Sequence, residues 1–216
     1  MTQHPLFQEI EEDLNRQKLE QLWKRYGMWV IMAAAAVVLV TAGVTAWHSL
    51  RGQQEQKATT ALSAILDIPA TDNGKQIEAL ESFAGKNRGE TQAAFARLHA
   101  ASLASKGGDA KRATTIYDEL ASDTKAEPAF RQLADLYSVQ MQMDSGDPVT
   151  LQQRLQPLLA DNAPWRFTAM EDIGFLALRA GDKAKAKQMF TELSQNAGAP
   201  PTLASRAGDM VRFIGE

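Results

Sequence analysis

Prolines and glycines recur along this chain at a nearly constant interval, which restricts the fold to a small set of repeat architectures. Three prolines, Pro128, Pro164 and Pro200, are each 36 residues apart, and we expect each to open a helix. Four turn-forming segments are spaced by 34, 38 and 35 residues between their glycines. They are Asn73-Gly74, Gly107-Gly108-Asp109, Ser145-Gly146-Asp147 and Ala180-Gly181-Asp182. Because no run of alternating apolar residues predicts a strand, the sequence predicts an all-α fold of stacked helical hairpins.

A small residue and an aromatic residue follow three of the four glycines at the same distances. The pairs lie five and nine residues after the glycine, so they share one helical face. They are Ala79 with Phe83, Ala113 with Tyr117, and Ala186 with Phe190. The segment after Gly146 departs from this pattern with Leu151 and Leu155, and Pro157 should shorten or kink its helix.

The repeat predicts four hairpins followed by a terminal helix. The hairpins span residues 53–87, 91–122, 128–160 and 165–196, and the last helix spans 201–214. A single hairpin cannot bury its apolar face alone, so we expect a continuous core between stacked hairpins. The apolar side of the last helix, with Leu203, Ala207, Met210, Val211 and Ile214, should cover the fourth hairpin.

A second feature is an uncharged apolar segment of 20 residues from Met28 to Trp47. At about 1.5 Å per residue it spans roughly 30 Å, the thickness of the hydrocarbon core of a bilayer. We therefore predict one transmembrane helix over residues 26–50. A cleaved signal peptide is less consistent with the segment, since the apolar part of such peptides is about 7–15 residues long. A buried core helix is the other alternative.

The basic residues flanking this segment predict its orientation. Four precede it (Arg16, Lys18, Lys24 and Arg25) and two follow closely (Arg51 and Lys57), which favours a cytoplasmic N-terminus and an exported domain over 51–216. Residues 1–25 should contain a short cytoplasmic helix that either positions the anchor at the interface or docks on a partner. Within the span, Ala42 and Ala46 could pack against another helix.

The glycine, alanine and aromatic positions of the repeat resemble those of the tetratricopeptide repeat. Together with the short N-terminus, the single span and about 165 exported residues, they resemble the YfgM-like family of bacterial inner-membrane proteins. That resemblance implies a periplasmic domain of tetratricopeptide-like repeats that assists the Sec translocon and contacts periplasmic chaperones. An alternative within the same architecture is a subunit that organises envelope or cell-division machinery by binding cell-wall enzymes.

The composition offers little for catalysis. The chain has no cysteine and three histidines, and its net charge of −3 does not favour nucleic-acid binding. Neither a phosphate-binding glycine loop nor a nucleophile motif is present, and His99 is best interpreted as a packing or groove residue. The adjacent acidic pairs Asp118-Glu119 and Glu171-Asp172 are interpreted as solvated helix surface. We therefore predict neither an enzyme nor a cofactor or metal site.

A partner-binding groove is the better-supported prediction. The first helix of each hairpin should line the concave side of such a stack. A mixture of methionine, phenylalanine and polar residues suits a peptide or a partner helix. Phe175 could face the groove or pack in the core. The predicted groove residues are Ser102, Lys106, Gln140, Met143, Thr168, Glu171, Phe175 and Arg179.

Overall fold

The computed structural model describes residues 25, 28, 32, 37–45, 47–49, 52–53 and 55–215. The chain divides into two compact units, Met1–Gln56 and Lys57–Glu216. The predicted cytoplasmic helix lies outside the described residues except for Arg25, and Ala46 of the predicted small-residue pair also lies outside them.

Every described residue of the first unit is helical. Within the part of the chain that the structure describes, no helix combines the length and apolarity needed to cross a membrane. Residues 26–27, 29–31, 33–36, 46 and 50 of the predicted span lie outside that part. The large apolar side chains that are described there are exposed, and Val37, Val38, Leu39 and Val40 are each 62–73% exposed.

The second unit consists of helices joined by short turns, without a strand in residues 57–215, and this confirms the all-helical prediction. Its first helix, α1, comprises residues 57–66. The others are α2 (Asn73–Lys86), α3 (Thr91–Lys106), α4 (Ala110–Ser122), α5 (Pro128–Met141), α6 (Pro148–Leu155), α7 (Arg166–Arg179), α8 (Lys183–Gln195) and α9 (Pro201–Gly215). The four predicted hairpins correspond to α1–α2, α3–α4, α5–α6 and α7–α8.

Three of the predicted turns have the same local chemistry. The side chains of Asp109, Asp147 and Asp182 each accept a hydrogen bond from the backbone N–H three residues later, at 2.8–2.9 Å. These bonds satisfy backbone donors at the start of α4, α6 and α8. Gly108 and Gly181 precede two of the caps with φ of 84° and 80°, a conformation that glycine adopts without a steric penalty.

The fourth predicted turn, Asn73-Gly74, is wrong. Both residues lie in the first turn of α2, which follows a 3₁₀ turn over Ala70–Asp72, and Asp72 makes no side-chain cap. Gly74 is followed by a lysine instead of the capping aspartate of the other turns. The helix therefore starts earlier relative to the glycine, and it buries Gln76 and Leu80 while Ala79 is only half-buried.

The predicted small and aromatic positions of the other second helices form the core. Ala113, Tyr117, Ala186 and Phe190 are all buried. The Phe190 ring packs against the backbone of α7, where a Cβ added to Gly174 would lie 2.6 Å from Phe190 Cζ. The absence of a side chain at Gly174 therefore allows the Phe190 ring to approach α7 closely.

The last two predictions on the fold concern α6 and α9. Helix α6 ends at Leu155 and continues as a 3₁₀ turn over Gln156–Leu159 that contains Pro157, which confirms the predicted shortening. Helix α9 packs its apolar side on the core of the fourth hairpin, and Ala207 is fully buried there. This confirms the predicted capping contact of the terminal helix.

Candidate partner-binding face

Side-chain contacts between hairpins divide the helices of the second unit into two layers. The first helices of the hairpins contact one another in order, and so do the second helices. First-helix contacts join Thr59 to Gln92 (3.1 Å), Phe95 to Phe130 (ring centroids 5.2 Å), Gln140 to Asp172 (2.9 Å) and Glu171 to Arg206 (2.7 Å). Second-helix contacts join Glu81 to Arg112 (2.6 Å), Asp118 to Arg154 (2.7 Å) and Gln152 to Lys185 (2.5 Å). Each pair connects positions about one repeat apart, as expected for stacked repeats.

Aromatic side chains are distributed unequally between the two layers. The first helices α3, α5 and α7 each expose one ring, with Phe95 53%, Tyr137 39% and Phe175 36% exposed. The rings of the described second helices, Phe83, Tyr117 and Phe190, are all buried. The exposed parts of these rings form the surface of the first layer, although Tyr137 and Phe175 also contact the second-helix rings Tyr117 and Phe190, at 5.5 and 5.2 Å between ring centroids. We call this surface, with Phe95, Tyr137, Met141 and Phe175, the first-helix face.

All eight predicted groove residues lie on α3, α5 or α7, or in the turn after α5. Lys106, Phe175 and Arg179 are exposed, and Glu171 is buried. The half-buried members are Ser102, Gln140, Met143 and Thr168. The Phe175 ring combines both alternatives, since it is partly exposed while its centroid lies 5.2 Å from that of Phe190 in an edge-to-face contact.

Several of these side chains hold neighbouring hairpins together. Arg179 donates hydrogen bonds to the backbone carbonyls of Met143 and Gly146. Gln140 donates to Asp172, one hairpin further along the chain. The further exposed apolar side chains of α3 and α5 are Phe95, Tyr137 and Met141, which are not among the predicted groove residues. Their exposure depends on which sides of α3 and α5 the neighbouring hairpins cover.

The interpretation of Glu171-Asp172 as solvated surface is wrong, because both side chains are buried at 6% and 7% exposure. Arg206 of α9 donates two hydrogen bonds to the Glu171 carboxylate, at 2.9 and 2.7 Å. Burial raises the pKa of Asp172 to about 6; the hydrogen bond from Gln140 opposes this change and the charge of Glu171 adds to it. The pair is covered because α7 lies between α5 and α9 in the first layer.

The other acidic pair is also not simply solvated. Arg154 of α6 binds Asp118 Oδ1 at 2.7 Å and Asp135 Oδ1 at 2.5 Å, and the buried Ser138 hydroxyl donates to Asp118 Oδ1. Asp118 nevertheless stays 46% exposed, and Glu119 is exposed. This network joins the second and third hairpins.

The described residues provide no group of three or more histidines and carboxylates placed to hold a metal ion. His99 is half-buried on α3, and partial burial, together with the nearby charge of Lys106, lowers the pKa of its imidazole. A lowered pKa favours the neutral imidazole, which suits packing between helices.

The comparison with known families gives one finding. A family model described as a tetratricopeptide repeat-like domain matches residues 20–204. No curated protein and no solved structure gave a significant match. Domains of the matched kind are typically non-enzymatic scaffolds for protein–protein interaction.

Proposed function

Since the chain belongs to the tetratricopeptide repeat-like domain family, we propose that it is a membrane-anchored scaffold that binds protein partners through its first-helix face. The observation that carries this proposal is the unequal distribution of rings, exposed on α3, α5 and α7 and buried on the second helices. Exposed aromatic and methionine side chains are typical of surfaces that bind peptides and helices. A tethered scaffold raises the local concentration of its partners without chemistry of its own.

The anchor in this proposal is the apolar segment Met28–Trp47. Its support is the absence of charge from the segment and the exposure of Val37, Val38, Leu39 and Val40, which a bilayer would cover. Two polar side chains in the segment need no water, because Thr41 Oγ1 donates to Val37 O at 2.9 Å and Thr45 Oγ1 to Thr41 O at 2.8 Å. In this arrangement residues 1–25 are cytoplasmic, 26–50 span the inner membrane and 51–216 form a periplasmic domain.

The partner in this proposal comes from the resemblance to the YfgM-like family. The anchor would hold the repeat domain beside the Sec translocon, and the first-helix face would engage periplasmic chaperones or emerging polypeptides. The uncharged character of the exposed rings supports an apolar partner segment over a strongly charged one.

Site-specific photocrosslinking in cells tests the partner. A photoreactive residue replaces Phe175 or Tyr137 on the first-helix face, and a matched control replaces Val149, a 54% exposed apolar residue of α6 in the second layer. Capture of translocon subunits or chaperones from the first two positions and not from the third is expected. Capture of cell-wall synthases instead would indicate the envelope role, and equal capture from all three positions would contradict a specific face.

Membrane extraction with alkaline carbonate tests the anchor. One arginine at the centre of a span costs about 3 kcal/mol on insertion scales, which offsets the total of about −3 kcal/mol from its seven Val, Ile and Leu residues. We therefore expect Val38→Arg to release the protein into the soluble fraction, while Val149→Arg leaves it in the membrane. A C-terminal reporter that is active only in the cytoplasm would overturn the proposed topology.

A further inference from the structure

A cavity of about 460 Å³ lies between α4, α5 and α6, away from the first-helix face. Its wall includes Ser122 of α4, Arg131 and Gln132 of α5, and Pro157 and Leu158 of the 3₁₀ turn. The volume is in the range of sites that bind small ligands or short peptide segments. None of the eight predicted groove residues contributes to the wall, so the cavity is a separate feature of the domain.

The charges of the side chains that line this cavity sum to zero, but some of its polar atoms have no hydrogen-bond partner. Asp118 and Asp135 both accept hydrogen bonds from Arg154, through its Nε and Nη2 atoms. Arg131 forms no ion pair in the described part of the chain, and its Nε is shielded from water without an acceptor. The Gln132 Oε1 atom is likewise shielded and has no donor. An orphaned polar atom of this kind destabilises the unliganded protein, and a ligand that pairs with it recovers that cost.

The polar atoms without a partner can pair with the N–H and C=O groups of a peptide bond. Arg131 can donate to a carbonyl oxygen, and Gln132 can accept from an N–H. Asp118 offers a second acceptor, because its hydrogen bonds in the described structure use Oδ1 and leave Oδ2 free on a side chain that is 46% exposed. Rotation of flexible side chains on binding, as is common at interfaces, would bring these groups to the ligand.

We propose that this cavity binds the main chain of an extended, uncharged polypeptide segment. Two basic and two acidic side chains line it, so it presents no net charge to attract a charged ligand. Pro157 and Leu158 supply apolar contact for side chains of the segment. The proposal takes from the proposed function only that the ligand is a polypeptide, and it adds a second binding surface to the first-helix face.

Fluorescence anisotropy of the full chain in mild detergent tests this proposal. The probes are three labelled decapeptides, capped at both ends: one of Ala, Val, Ser and Leu, one in which two Asp replace two residues, and one in which two Lys replace them. We expect the uncharged peptide to bind most tightly. Arg131→Ala and Gln132→Ala should each weaken its binding by about 2- to 10-fold, the effect of one hydrogen bond.

Two further variants keep the test decisive. Ser122 is exposed at the cavity wall, so Ser122→Trp can obstruct the cavity without disturbing the core, and it should abolish binding even if Arg131→Ala fails to fold. Phe175→Ala on the first-helix face should leave the affinity unchanged. The proposal is overturned if no peptide binds, if either charged peptide binds more tightly, or if Ser122→Trp has no effect. If Phe175→Ala abolishes binding and the cavity variants do not, the peptide binds to the first-helix face. That result would contradict this proposal and would be consistent with the proposed function.

Discussion

We expect Asp172 to make the folded state less stable at neutral pH than at pH 4, and Asp172→Asn should remove this loss. The carboxyl is 7% exposed and accepts one hydrogen bond, from Gln140 Nε2 at 2.9 Å. Burial raises its pKa from 3.8 to about 6 against the effect of that bond, with a further contribution from the charge of Glu171. In the unfolded chain the pKa returns to about 3.9.

The sign and the magnitude follow from proton linkage. Between pH 4 and pH 6 the folded protein holds a proton that the unfolded chain has released, so stability falls as the pH rises and is constant above this range. A difference of about 2 pKa units, at about 1.4 kcal/mol each, amounts to about 3 kcal/mol by pH 7.5. An asparagine stays neutral, and its amide oxygen can still accept the bond from Gln140.

Urea unfolding of the wild type and the variant at pH 4.5 and 7.5 measures this difference. The variant should be more stable by about 1 kcal/mol at pH 4.5 and about 3 kcal/mol at pH 7.5, with an unchanged dependence on urea. Glu171→Gln is the matched control, and it should destabilise the protein at pH 7.5 because Arg206 loses its partner. If Asp172→Asn is no more stable than the wild type at pH 7.5, or if its gain in stability is the same at both pH values, the conclusion that Asp172 is buried and binds a proton in the folded state is refuted.

Three further predictions concern stability. Asp123→Asn should destabilise the fold by about 3 kcal/mol at pH 7, because hydrogen bonds from Arg88 and Arg97 hold the pKa of this 2% exposed carboxyl well below 3.8. The difference in unfolding free energy between variant and wild type, measured by urea unfolding, should shrink as the pH falls below 3.8. A difference that stays constant with pH would contradict this prediction. Gly174→Ala should cost about 1–3 kcal/mol because its Cβ would lie 2.6 Å from a ring atom, whereas Gly208→Ala, with open space around its Cβ, should stabilise α9 by about 0.5–1 kcal/mol; equal effects in thermal unfolding would argue against this packing. Deletion of 201–216 should lower Tm by at least about 5 °C by exposing the core of the fourth hairpin, and an unchanged Tm would exclude the capping role.

The helices and most of their boundaries could be predicted because their signals are local. A glycine followed by an aspartate marks the start of α4, α6 and α8, and Pro157 ends α6 within two residues. The one failure in this group, Gly74, lacks the aspartate, so the glycine by itself did not define where α2 starts. The repeat spacing then determined the order in which hairpins stack, because each can bury its apolar side only against its neighbours.

The surfaces could be predicted only in part. The predicted groove residues lie on first helices or in the turn after α5, but Phe95 and Tyr137 were not among them, and the buried state of Glu171 and Asp172 was not foreseen. The partners of that acidic pair, Arg206 and Gln140, lie 35 and 32 residues away in the sequence. Whether a charge is buried with a partner or solvated therefore depends on the neighbouring hairpin.

The amino-acid order of this protein was sufficient for its all-helical class, its repeat length, three of its four predicted turns and the uncharged segment Met28–Trp47, since each depends on chemistry within about one helix. The rings that remain exposed, the carboxyls that lose water and the cavity beside Arg131 arise only when hairpins pack against each other. Exposure and pKa are set by atoms that are close in space and distant along the chain, and for this reason they appear only in the folded structure.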